Sequence, residues 1–194
     1  MYESIRIILS AVSIMMISPS EQTPGDYNKK LHSLIKHKVP VITVQELKKE
    51  LKKEEEVNAA GMKKSVVFFA KFWWVLIKKR PLVLLDTREI KEFKVSHIKN
   101  AWHVGYKRFS LKSIADIPKK SPIVVYCSLG VRSERIGEML KKAGYKKVKN
   151  LLGGMFEWVN RGNLVVDINK QPTQQVHAYS KKWGKWLLKG KKVF

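Results

Sequence analysis

Residues Ile123-Val124-Val125-Tyr126-Cys127-Ser128-Leu129-Gly130-Val131-Arg132-Ser133 decide how this chain is read. The first four are apolar without a break. A run that short, rich in β-branched residues, reads as a strand buried on both faces of a sheet. A loop with one glycine follows. Over residues 133–143, Ile136, Met139 and Leu140 fall on one face of a helix, and Gly144 sits where a left-handed C-terminal cap belongs. A buried strand that runs through a loop into a helix is the unit of an α/β domain with a mainly parallel sheet. Such folds bind ligands where loops leave the carboxyl ends of strands. Cys127 occupies that place.

The loop is also built to make a thiol reactive. Successive backbone N–H groups in a tight turn curl into an anion-binding nest. The helix that follows adds its positive N-terminal end. Arg132 adds a permanent charge and a planar fork of donors. Gly130 allows a backbone angle that a larger residue resists. All of these favour thiolate over thiol, so the pKa of Cys127 is expected below the free value of about 8.5. An inert buried cysteine is the ordinary alternative, and the agreement of strand, glycine, arginine and helix start argues against it.

Working outward, the pattern repeats. Residues 39–44 predict a short strand and 45–56 a helix, with Thr43 and Glu46 spaced as a capping box. Residues 82–85 predict a strand, followed by a short helix through Phe93 that Asp86 or Thr87 caps. Further strands are expected at 101–104 and 148–152. Helices are expected at 111–117, ended by Pro118, and at 155–160. Strands alternate with helices throughout, as in a parallel sheet covered on both faces.

Four stretches carry a resemblance. Tyr126-Cys127-Ser128-Leu129-Gly130-Val131-Arg132-Ser133 resembles the active-site loop of the rhodanese family of sulfurtransferases. Leu84-Leu85-Asp86-Thr87-Arg88-Glu89, with Phe93 beyond, resembles that family's strand-to-helix entry. His97-Ile98-Lys99-Asn100-Ala101 is similar to its "His-Ile-x-x-Ala" segment. Leu152-Gly153-Gly154, with Trp158 four residues on, is similar to its closing Gly-Gly motif. The resemblance covers residues 81–162, with a looser extension back to Val39. It implies a five-stranded parallel sheet with helices on both faces. It also implies a ping-pong reaction in which Cys127 takes the outer sulfur of a donor such as thiosulfate as a persulfide. The sulfur then passes to a thiophilic acceptor: cyanide, a thiol or a sulfur-accepting protein. By the same resemblance, Ser128, Leu129, Gly130, Val131, Arg132 and Ser133 hold the sulfur and the donor. Asp86 and Arg88 lie near the loop and support it, or else cap and ion-pair within the scaffold. His97 is structural, since an already activated thiolate needs no adjacent base. Gly153 and Gly154 serve a tight turn.

Rival readings rest on the same residues. Cysteine phosphatases and arsenate reductases also place a thiolate in an anion cradle ending in arginine, but their loop is one residue longer than the four between Cys127 and Arg132. A non-catalytic module that carries persulfide or senses redox state keeps all the residues. Nucleic-acid binding rests on charge alone.

Composition bounds the rest. The chain has 194 residues, 44% of them hydrophobic, enough for one domain with appendages. A single cysteine excludes an internal disulfide framework. The net charge is +23, from 39 basic against 16 acidic residues, with the lysines spread along the chain. That spread reads first as a solvated basic surface, then as attraction for anionic substrates, and last as nucleic-acid binding. No metal site is apparent: His32 and His37 lack a completing ligand set. No cofactor is called for. Residues 1–20 match a secretory signal, with an apolar run from Ile7 to Ile17 and small residues Ser18 and Ser20 before a cut, which implies an exported protein; a cytoplasmic one is the alternative. Residues 21–38 form an N-terminal segment, and 39–162 the domain. Within it, residues 66–77 form an apolar insertion, too short to span a bilayer, that reads as buried core or as a segment touching a membrane surface. Residues 163–194 form a basic tail in which Trp183 and Trp186 stand at helical spacing. Docking on the domain is its default, with a membrane surface as the alternative.

Overall fold

The computed structural model describes residues 24–63 and 81–194. The signal-like segment at 1–20 and the apolar insertion at 66–77 lie outside the described residues.

The centre is a five-stranded parallel sheet of β1 (Val41–Ile42), β2 (Val83–Asp86), β3 (Trp102–His103), β4 (Pro122–Tyr126) and β5 (Lys147–Leu151), in the order β1-β5-β4-β2-β3. All four pairings are parallel. β4 is the middle strand, and its alternate residues serve two cores. Val124 and Tyr126 join Leu84 and Leu151 on one face, under α1 (Pro24–Leu34), α2 (Val44–Lys63) and α5 (Gly154–Asn160) through Leu31, Leu47 and Phe156. Ile123 and Val125 join Leu85 on the other, under α4 (Val131–Lys142) through Ile136 and Leu140. A strand buried on both faces needs no polar alternation, which is why β4 is apolar throughout. The expected α/β sheet with helices on both faces is therefore present.

Several boundaries differ from the sequence expectation, each for a local reason. The helix after the Cys127 loop starts two residues early, because Gly130 caps it at φ 110°. Neither Asp86 nor Thr87 caps the next helix. α3 runs over Ile90–Val95 behind Glu89, whose N–H donates to Glu92 Oε2 at 3.0 Å. Asp86 is engaged by the Arg88 backbone N–H, and the Thr87 hydroxyl donates to the Tyr126 carbonyl. Residues 111–117 shrink to a 3₁₀ turn, Leu111–Ile114, with Ile117 N–H bonded back to Ile114 O. Pro118 would press its ring on that same carbonyl in a longer α-helix. The strand expected at 101–104 stops at His103, since the amides of Val104 and Gly105 fold back onto Asp86 O. At 39–44 only Val41 and Ile42 pair with β5. The Thr43–Glu46 capping box at the start of α2 is formed as read.

Residues after 162 dock on the domain. β6 (Val165–Val166) and β7 (Pro172–Thr173) make a hairpin, and β8 (Gln175–His177) and β9 (Lys191–Val193) pair in parallel around α6 (Lys181–Gly184). Val165, Val176, Ala178, Trp186 and Leu187 enter the same core as Phe156 and Trp158. Arg161 thus leads into a segment that covers the domain. Among the described residues no helix is long and apolar enough to cross a membrane.

Candidate active site

Cys127 follows the last residue of the middle strand, at the carboxyl end of the sheet. Its Sγ accepts the Gly130 N–H at 3.1 Å. The turn that makes this contact needs the left-handed backbone of Gly130. Space is not the reason: a Cβ there would meet nothing nearer than 3.5 Å. Burial pushes the Cys127 thiol up. The Arg132 charge and the amides of Ser133 and Leu129 outweigh that and hold it below the ordinary thiol value. The Ser133 hydroxyl also lies near the sulfur, but its one proton goes to Asn150 Oδ1 at 2.7 Å. We therefore ascribe the lowering to the charge and the amides.

The loop is held from three sides. Asn150 on β5 takes the Ser133 hydroxyl and donates its amide to Gly130 O at 2.9 Å. The N-terminus of α5 donates Met155 N–H to Cys127 O at 2.8 Å and Phe156 N–H to Ser128 O at 3.1 Å. Gly153 and Gly154, at φ 73° and 52°, make this approach. A Cβ on Gly154 would lie 2.3 Å from Cys127 O. The turn expected at these glycines is therefore also a close contact with the loop. From α3, Glu92 accepts both Arg132 Nη1 at 2.7 Å and Nη2 at 2.8 Å, and the Ser128 hydroxyl donates to it at 3.2 Å. Burial pushes the Glu92 carboxyl up, and the Arg132 pair more than reverses this, leaving it below the ordinary carboxylate range.

The structure adds detail to two expectations. The Arg132 fork is held by Glu92 and by the Ser128 hydroxyl of the loop, and none of its hydrogen bonds runs to Cys127 Sγ, so its contribution at the sulfur is its charge. For Asp86 and Arg88, expected to support the loop or else to cap and ion-pair within the scaffold, the ion pair is present: both side chains are fully buried and bonded to each other. Arg88 Nη2 reaches Asp86 Oδ2 and Ser96 O, both at 2.7 Å. None of the hydrogen bonds of these two side chains runs to residues 127–133. Their segment acts one step earlier: both the N–H and hydroxyl of Thr87 donate to Tyr126 O, tying β2 to the residue before Cys127. His97, read as structural, is stacked on Phe93 at 3.8 Å with Nδ1 against Phe93 O. His32 and His37 stack at 5.3 Å. Among the described residues no group of three His, Cys, Asp or Glu side chains is placed to hold a metal ion.

A pocket of about 200 Å³ opens on the sulfur. The loop supplies Cys127, Ser128, Leu129, Val131 and Arg132, and the C-terminal segment supplies Tyr179 and Trp183. The Arg132 guanidinium lies 4.8 Å from the centre of the Tyr179 ring. Sequence reasoning missed Glu92, Asn150 and Tyr179 and gave Trp183 no place at the site. Glu92 stands between residues of the Asp86-to-Phe93 stretch, and Asn150 is the one amide in an otherwise apolar and basic strand. Nothing local marks Tyr179.

The result is a thiol of lowered pKa at the floor of a small pocket, with the Arg132 cation beside it.

Comparison with known proteins agrees with the geometry. A family model described as "Rhodanese-like domain" matches residues 70–161. The thiosulfate sulfurtransferase GlpE of Coxiella burnetii is 34% identical over 85 residues, covering 44% of this chain and 78% of its own. A tRNA uridine(34) hydroxylase of Rickettsia africae is 26% identical over 202 residues, covering 94% of this chain and 77% of its own. The crystal structure of a thiosulfate sulfurtransferase from Pseudomonas aeruginosa superposes with a TM-score of 0.52 at 16% identity, over 83% of this chain and 26% of that one, a likeness of fold.

Proposed function

This chain belongs to the rhodanese-like family, and on that premise we propose that it is a sulfurtransferase working through a persulfide on Cys127. The observation that carries this reading is the Cys127 sulfur itself: set after the middle strand, held by the Gly130 amide at 3.1 Å, and opening on a pocket beside Arg132. The thiolate attacks the outer sulfur of a sulfane donor of the thiosulfate class. The new bond joins that sulfur to Cys127 Sγ, and the donor's S–S bond breaks with its electron pair leaving on sulfite. A thiophilic acceptor, cyanide or a thiol, then takes the outer sulfur and restores the thiolate. The loop amides and the start of α4 support the anionic persulfide as they support the thiolate.

The test is incubation with thiosulfate and cyanide, following thiocyanate, beside Cys127→Ala. Intact mass is taken after thiosulfate alone. Thiocyanate and a one-sulfur mass gain, both lost in the variant, are the expected result. A mass gain without turnover would point instead to a persulfide carrier that needs a protein acceptor. The same reading has residues 1–20 direct export; fusion of that segment to a reporter, read by cell fractionation, tests it.

A second reading is favoured by one observation. The likeness to the tRNA uridine(34) hydroxylase runs through 94% of the chain, well beyond the segment that matches the family model. Under it Cys127 would serve chemistry on a tRNA base, and the +23 charge would neutralise phosphates. Binding to tRNA that weakens steeply between low and moderate salt is the result that would favour it.

A further inference from the structure

The C-terminal segment brings Tyr179 and Trp183 to the mouth of the Cys127 pocket, and both lie beyond residue 161, where the family match ends. Resting on the sulfurtransferase reading above, we infer that these two residues are specificity-determining: they select sulfane donors that carry an aryl or alkyl group over inorganic thiosulfate.

Three observations carry this. The first is charge. Arg132 is the one charged residue lining the pocket among the described residues, and Glu92 partly cancels it with both carboxylate oxygens. A small dianion therefore finds the loop amides and, among the described lining residues, one cation already paired, so desolvating its second charge in this pocket is unfavourable. A donor bearing one negative charge loses less on entering. The second is surface. Leu129, Val131, Tyr179 and Trp183 give the pocket an apolar wall beyond the sulfur, and a carbon group gains by covering it. The third is the way the wall is held. Tyr179 is a non-glycine residue at φ 64° whose side chain is half-exposed. Its N–H donates to His177 Nδ1 at 3.0 Å, and the next amide, Ser180 N–H, donates to Ala178 O at 2.7 Å. Gly184 fits so closely on Ala178 that a Cβ there would come within 3.0 Å, which seats α6 and its Trp183. Backbone held away from its easy range, with an aromatic ring left at a pocket mouth, is the pattern of a positioned binding group.

The chemistry balances for a thiosulfonate donor. Cys127 thiolate attacks the terminal sulfur, an S–S bond forms to Sγ, and the bond to the sulfonyl sulfur breaks. The electron pair leaves on the sulfinate, and no proton or outside oxidant is needed.

The experiment compares benzenethiosulfonate with thiosulfate, each with cyanide, in the full chain, Tyr179→Asn and Trp183→Phe. Asparagine tolerates positive φ, and phenylalanine keeps a ring in the core, so both variants keep the fold; circular dichroism checks it. The wild type is expected to show the higher kcat/KM with the aryl donor. The ratio of the two specificity constants should fall about tenfold in Tyr179→Asn, the loss of one ring contact, and less in Trp183→Phe. A ratio that does not move, or a wild type that prefers thiosulfate, overturns the inference while leaving the sulfurtransferase reading intact. A wild type that gains no sulfur from either donor overturns both.

Discussion

Glu92 grips Arg132 with both carboxylate oxygens, at 2.7 and 2.8 Å, from a helix 40 residues earlier in the chain. The Ser128 hydroxyl closes the triangle, donating to Glu92 and accepting from Arg132 Nη2 at 3.1 Å. The reactive loop is therefore locked to α3 by a nearly buried ion pair, and the cation beside the sulfur is partly cancelled by the group that positions it.

Glu92→Gln should separate those two effects. Leaving Arg132 without its partner costs about 2–4 kcal/mol of folding stability, read as a lower urea midpoint. The uncancelled guanidinium should at the same time lower the pKa of Cys127 further. Pairing the change with Arg132→Gln should recover part of the stability. An unchanged urea midpoint would mean that the ion pair contributes little.

The pH dependence of Cys127 reactivity follows from its surroundings. Alkylation by iodoacetamide proceeds through the thiolate, so its rate should rise with pH and level off with a midpoint below the ordinary thiol value of about 8.5. Arg132→Gln should move that midpoint up, since it removes the charge that opposes burial. A wild-type midpoint at or above the ordinary value would refute activation by the loop.

Gly154→Ala should be severe. The added methyl would press on Cys127 O at 2.3 Å, with Ser128 and the rest of the loop backbone behind it. We expect a loss of about 3 kcal/mol or more and a displaced loop with little sulfur-transfer activity. Gly144→Ala is the control: it shares positive φ but meets nothing within 4 Å, and should cost only about 1 kcal/mol. Equal losses at the two sites would make backbone strain, not the close approach, the cause.

How much of this was legible beforehand varies by scale. The sheet, the position of Cys127 and the low thiol pKa follow from local facts: an apolar run, one glycine, one arginine. Glu92 and Asn150 were not legible, because their function is set by what faces them across the fold, and a carboxylate in a charged helix looks like any other. For Arg88 the ion pair was legible as one of two roles, and its burial was not. A charged residue two positions after a strand suggests an exposed helix start, yet its pairing with Asp86 lets both be buried completely. Tyr179 depends on the path of the whole C-terminal segment, which no spacing in the sequence reveals.

Stability should fall on mild acidification. Burial holds the pKa values of His97 and His177 below the ordinary imidazole value, so both are neutral in the folded protein near neutral pH. Above the unfolded value of about 6.5 their contribution is fully present. As pH falls from there through the folded values, the unfolded chain takes up protons that the folded one resists, and stability is lost. The melting temperature should therefore decline from pH 7 to pH 5.5, with a shallower decline in His97→Gln. A flat profile over that range would show that these rings are not held neutral.

Asn150 carries a consequence for the order of assembly. It pairs with Val125 on one side and Val41 on the other, and the same residue holds Gly130 O and Ser133 Oγ. Strand pairings between distant segments are slow to form. Until β5 has docked, the amide that holds the Gly130 carbonyl is absent, and the Gly130 N–H that Sγ accepts is not fixed in place. The loop around Cys127 thus takes its final shape from a strand that lies outside it and follows it in the chain.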